Sequence, residues 1–168
     1  MGTVKEGWVG RFFEDFNVGD IYRSRLGRTI SDTDNAQFTL ITNNSNQIHF
    51  NAHYASRTEF KKPLVNSALT LSVVAGLAVT DVSENGFALG WDYIKLPNPV
   101  FGGDTLYAET EVVSVRESSS RPSQGIVKVR TTGVNQNGVV VIEYERSVMV
   151  WKRGHAPLTD LFPATKGS

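Results

Sequence analysis

The chain has 168 residues, 40% of them apolar and 20% charged, with 17 basic against 17 acidic side chains and no cysteine. That length makes about one domain with a core that needs no staples, and a formal net charge of zero leaves no electrostatic footprint for nucleic acid or an anionic membrane. Disulfides, thiolate nucleophiles and cysteine-held zinc are excluded, no apolar run has the length of a signal peptide or a membrane span, and a soluble, cytoplasmic protein is expected.

In chain order, residues 1–19 read as an irregular lead-in with Phe12, Phe13 and Phe16 as apolar anchors. After the Gly19-Asp20 turn signal, Ile21 to Ile30 reads as one strand with a bulge at Gly27. Ser31-Asp32-Thr33-Asp34 opens a helix that should end by Asn43, because Ser31 can cap it and an acidic residue follows three positions on. A loop rich in asparagine, Thr42 to Asn51, then runs up to His49. Ala52 to Thr58 allows one or two further helical turns, and Lys61-Lys62-Pro63 breaks the chain. Val65 to Thr80 is the strongest helix, apolar on nearly every side and therefore expected in the core, with Asn66 or Ser67 able to cap it.

Four strands follow: Phe87 to Leu96, Thr105 to Arg116, Gly125 to Val134 and Val139 to Lys152. Asn137-Gly138 between the last two is a hairpin signal, since Asn-Gly accepts the positive φ of a tight turn. The tail from Arg153 is expected to be loose. One strand, then helices, then four strands joined by turns is an α+β layout: an antiparallel sheet wrapped around one long buried helix. Without a repeat or a linker, 1–168 is expected to be a single domain.

Candidate chemistry centres on the asparagine loop. His49 and His53 are four apart and could share a helix face to hold zinc, but no third ligand stands nearby and no metal site is expected. His53 reads as a cap or surface residue, and His155 carries no role.

The loop Asn43-Asn44-Ser45-Asn46-Gln47-Ile48-His49 resembles the Gly-Asp-x-Asn-Pro-Ile-His motif of the MaoC-like dehydratases, the hot-dog-fold group that includes R-specific enoyl-CoA hydratases. Asn46, Ile48 and His49 match it. Phe13 to Asp20, Pro63-Leu64-Val65-Asn66-Ser67 and Phe101 to Leu106 extend the resemblance over most of the chain, nearest the mesaconyl-CoA-hydratase-like branch. The sequence departs from the pattern at the catalytic Asp (Asn44), the Gly before it (Asn43), the Pro (Gln47) and the His-Gly at the helix start (Asn66-Ser67).

The resemblance implies a hydro-lyase that reversibly hydrates a short or branched 2-enoyl-CoA, of mesaconyl-CoA type. His49 would be the base, since imidazole titrates nearest neutrality. Asn44 would orient the water, Asn46 would hold the loop, and the backbone N–H of Asn66 or Ser67 would polarise the thioester carbonyl. Arg57, Lys61 and Lys62 could meet the phosphates of coenzyme A, which enters as part of the substrate; no separate cofactor is expected. Two alternatives stand beside this reading. An acyl-CoA thioesterase would want a carboxylate on or just before the central helix, and only Glu59 offers one. A non-catalytic acyl-CoA-binding protein would tolerate Asn44. An uncovered sheet edge and the family's habit both imply a homodimer or higher even oligomer.

Overall fold

The computed structural model describes residues 2–5 and 7–157; the part of the expected tail beyond Pro157 lies outside the described residues. Two short strands, β1 (Ile21–Arg23) and β2 (Arg28–Thr29), open the sheet. They are followed by α1 (Asp32–Ile41), a 3-10 turn (Gln47–His49), α2 (Ala52–Ala55), α3 (Ser67–Leu77) and α4 (Val79–Val82). The long strands are β3 (Gly86–Lys95), β4 (Thr105–Glu117), β5 (Gln124–Asn135) and β6 (Val140–Trp151). All pairings are antiparallel, in the order β1-β4-β5-β6-β3, with β2 continuing β1 along β4. This is the α+β hot-dog arrangement expected from the sequence.

Local chemistry accounts for the element ends. Ser31 Oγ accepts the Asp34 N–H at 3.0 Å and the Asp34 carboxylate accepts the Ser31 N–H at 2.8 Å, closing a reciprocal cap on α1. Those bonds, with Arg28 behind them, hold the Asp34 carboxyl below its usual range. The β5–β6 hairpin turns at Asn135–Gly138; Gly138 alone in that turn has a positive φ, 75°, so the turn tightens through a left-handed glycine rather than through Asn137.

The expected strand Ile21–Ile30 is interrupted. Residues 24–27 leave the ladder, and Gly27 passes under the Tyr107 ring so closely that a Cβ would overlap it. The interruption divides the expected strand into β1 and β2.

The core lies between α3–α4 and the inner face of the sheet. Val74, Ala78 and Val82 meet Val127, Val129, Ile142, Tyr144 and Val148 in one cluster. The long helix differs from expectation in two ways. It breaks at Ala78 into α3 and α4, and Ala68, Ser72 and Gly76 stand exposed. Its sequence is apolar all round, but the chain supplies a sheet on one side only. The lead-in is docked: Phe13 and Phe16 are buried in the core, Phe13 over Gly125, where a side chain would overlap its ring. Arg153, at the start of the expected tail, is held by Glu14 and Asp15 at 3.0 and 2.6 Å.

Two buried polar side chains on β6 lack full partners. Tyr144 is wholly buried and its Oη has no hydrogen-bond partner among the described residues; the cross-strand Thr131 hydroxyl pairs with Thr110 at 2.9 Å. Arg146, 4% exposed, reaches only Ser83 Oγ at 3.5 Å and leaves Nε unpartnered. Burial raises the Tyr144 phenol and lowers the Arg146 guanidinium, each from its ordinary value.

Candidate active site

The asparagine loop is built by its own side chains. Asn43 stands where the resembled motif has glycine and adopts a left-handed conformation, φ 55°, which asparagine tolerates better than most residues. Asn44 Oδ1 accepts the Asn46 N–H at 3.0 Å, and Asn46 Oδ1 accepts the Ile48 N–H at 3.2 Å. Asn46 therefore caps the 3-10 turn that carries His49 and touches the histidine through the backbone, its carbonyl accepting the His49 N–H at 3.3 Å. Gln47, in place of proline, accepts from Asn51 Nδ2 at 2.6 Å, and Asn51 caps α2.

His49 is 8% exposed and its Nδ1 lies 2.8 Å from the carbonyl oxygen of Leu64. A carbonyl can only accept, so Nδ1 carries the proton and Nε2 of the neutral ring keeps its lone pair. His49 lines a cleft of about 350 Å³ with Asp32, Thr33, Gln37, Phe50 and Pro63. Ser67 lines a second cleft, about 380 Å³, with Phe60, Leu64, Thr70, Leu96 and Val100. The segment Pro63–Asn66 lies between the two, and Leu64 joins them by holding the His49 ring on one side and lining the second cleft on the other. Asn44 lines neither cleft; its side chain is engaged with the Asn46 N–H. A further cleft, about 660 Å³, follows the other flank of α3 past Trp8, Arg25 and Gly76 and is lined by none of the expected site residues.

At the start of α3 the two expected amide donors separate. The Asn66 N–H is taken by the Asn35 side chain at 2.9 Å, which removes Asn66 as a carbonyl-polarising donor. Asn66 Oδ1 caps the Ala68 N–H at 3.0 Å. The Ser67 N–H, between these two engaged amides, has no acceptor among the described residues. Arg57, Lys61 and Lys62 are exposed just before this point; Lys62 sits 4.2 Å from the Phe101 ring centroid, and Lys61 takes a positive φ of 62°. Glu59 is exposed on the same loop, and His53 is exposed on α2.

Asn35, which carries no signal in the loop motif, is the residue that ties the site together. It is 1% exposed on α1, donates to the carbonyls of His49 and Leu64 at 2.7 and 3.0 Å, and accepts the Asn66 N–H. Thr39, one turn on, is also buried and accepts from Asn66 Nδ2 at 3.3 Å. Asn35 and Thr39 are the buried residues of a helix that also carries Asp32, Thr33, Asp34 and Gln37, so their polarity does not single them out in the sequence.

A family profile described as mesaconyl-CoA hydratase matches residues 3–160, which is nearly the whole chain. The chain belongs to the mesaconyl-CoA hydratase family. It is 36% identical over 149 residues to a mesaconyl-CoA hydratase of Cereibacter sphaeroides, a match that covers 88% of this chain and 43% of that protein. It is 32% identical over 143 residues to an (R)-specific enoyl-CoA hydratase of Rhodospirillum rubrum, covering 85% and 94% of the two. The crystal structure of a MaoC-like dehydratase from Rhodospirillum rubrum superimposes with a TM-score of 0.77 at 28% identity, over 89% of this chain and all of that one. This member of the family spans less than half the length of the mesaconyl-CoA hydratase it matches.

Proposed function

We propose that the chain is a hydro-lyase domain that reversibly adds water across the double bond of a short or branched 2-enoyl-CoA, of the mesaconyl-CoA type. The observation that carries this is the His49 ring, buried at a cleft with its Nδ1 proton committed to the Leu64 carbonyl. Nε2 takes a proton from water while the water oxygen bonds to C3 of the enoyl group, and the pair of electrons from the double bond moves onto the thioester oxygen. The Ser67 N–H meets that developing oxyanion, where a fixed donor is most effective. The imidazolium then returns the proton to C2, and the carbonyl reforms. Asn44 serves the base through the loop, by fixing the Asn46 amide. Arg57, Lys61 and Lys62 stand where they can meet the phosphates of coenzyme A. Because coenzyme A thioesters are metabolites of the cell interior, a cytoplasmic setting goes with this substrate.

The partner we propose is a second copy of the chain. β3 is a sheet edge with Phe87, Leu89, Trp91, Ile94 and Leu96 each more than 40% exposed, and an unpaired apolar edge is covered by pairing. Light scattering should report twice 18.5 kDa; a single species at the monomer mass overturns this part.

The enoyl-thioester absorbance band tests the reaction directly. The wild-type protein should consume mesaconyl-CoA or crotonyl-CoA, and His49→Ala should lose on the order of 10³-fold in rate, the scale of a positioned general base. Binding of both thioesters without consumption of either would leave an acyl-CoA-binding protein instead.

A further inference from the structure

We propose that Asn35 is a positioning residue that sets both reacting groups at once: which nitrogen of His49 is free, and which amide of α3 is free. The inference rests on the hydratase reading for its catalytic meaning, and on geometry alone for its structural content.

The Asn35 amide is oriented by its partners. Two of them, the carbonyls of His49 and Leu64, can only accept, and the third, the Asn66 N–H, can only donate. Nδ2 therefore faces the carbonyls and Oδ1 faces the amide, with no flip possible. Both Nδ2 hydrogens and one oxygen lone pair are used by a residue that is 1% exposed.

Each bond has a consequence at the site. The Leu64 carbonyl receives Asn35 Nδ2 and His49 Nδ1–H together, one on each lone pair. Asn35 thus fixes the very oxygen that fixes the histidine tautomer, while its second hydrogen fixes the backbone of His49 itself. On the other side, capture of the Asn66 N–H leaves Ser67 as the free amide, next to the Ala68 N–H that Asn66 caps. Base and carbonyl donor belong to segments that share no covalent neighbourhood, and α1 holds them in register through one side chain. Among the other side chains only glutamine, one methylene longer, supplies two donors and an acceptor in a plane. Aspartate lacks both donors, and leucine lacks all three groups.

The test is the ring-nitrogen spectrum of His49 in protein with ¹⁵N-labelled histidine, at mildly alkaline pH where imidazole is neutral. Wild-type His49 should show the Nδ1–H tautomer. Asn35→Asp keeps the acceptor for Asn66 and removes both donors; His49 should shift toward the Nε2–H tautomer, with His53 and His155 unchanged. On substrate, kcat should fall by about 10²-fold, the penalty of a small misplacement of reacting groups, with KM little changed. Should Asn35→Asp not hold the fold, Asn35→Ser retains one donor and gives the same readout. An unchanged His49 tautomer in a folded variant overturns the proposal. If the tautomer shifts as stated while the wild-type protein hydrates neither mesaconyl-CoA nor crotonyl-CoA, the positioning stands and the hydratase reading falls.

Discussion

Around His49, Asn35, Asn66 and Thr39 are buried and each meets its complement, often a backbone group that can be nothing but a donor or an acceptor. On the core face of β6, Tyr144 and Arg146 are just as buried, yet Tyr144 Oη and Arg146 Nε meet no partner among the described residues, and no carboxylate there lies within ion-pair distance of Arg146. The difference separates two uses of buried polarity. A satisfied buried network holds one arrangement and resists alternatives. An unsatisfied group only subtracts from stability, by the desolvation it is not compensated for. The His49 corner is therefore the better satisfied of the two, and the β6 face is where the fold has stability to gain.

Substitutions of opposite sign sharpen this contrast. Asn35→Leu keeps the branched shape but strands the His49 carbonyl and the Asn66 amide, the Leu64 carbonyl still receiving His49 Nδ1–H, so chemical denaturation should show a loss of about 2 kcal/mol or more, at ~1–3 kcal/mol for each stranded group. Arg146→Met should do the reverse, raising stability by about 1–4 kcal/mol as an unpaired buried charge is replaced by an apolar chain of similar reach. A fall in Tm for Arg146→Met would mean that the guanidinium has a partner in solution, and the contrast would fail. Tyr144→Phe should be neutral or stabilising by up to about 1 kcal/mol, since the hydroxyl it deletes makes no more than a weak approach to Thr131, whose own hydroxyl pairs with Thr110.

The smallest effect lies on the outer face of the same strand. Glu145 is held below the usual carboxylate range, first by Arg130 and then, against some burial, by Lys128. A depressed carboxylate contributes stability that is fully present above its unfolded value and is lost as pH falls through the folded one. Glu145→Gln should therefore lower Tm slightly at neutral pH, and the gap to wild type should close in the acid range below the ordinary carboxylate pKa. A gap that widens on acidification would contradict the assignment.

Much of this architecture is legible in the residues. Alternation placed β3 to β6 within a residue or two, Asn135–Gly138 marked the hairpin, and Ser31 with Asp34 marked the start of α1. Those signals are local, and so is the chemistry that produces them. The site is less legible for a physical reason. His49 stands out by motif, and Asn46 by its capping chemistry. The status of the Asn66 amide, by contrast, depends on a side chain 31 residues earlier, and nothing in the spacing of Asn35 announces a tertiary bond. The exposed flank of α3 is missed for a related reason: hydrophobicity says that a surface should be covered, not whether this chain supplies the cover.

Phe13 over Gly125 joins the lead-in to the far end of the sheet. In kinetic language this contact closes a very long loop, whose entropy must be met before the contact rewards it. Native-state hydrogen exchange should therefore show the lead-in amides opening at a lower free energy than those of the β4–β5–β6 meander.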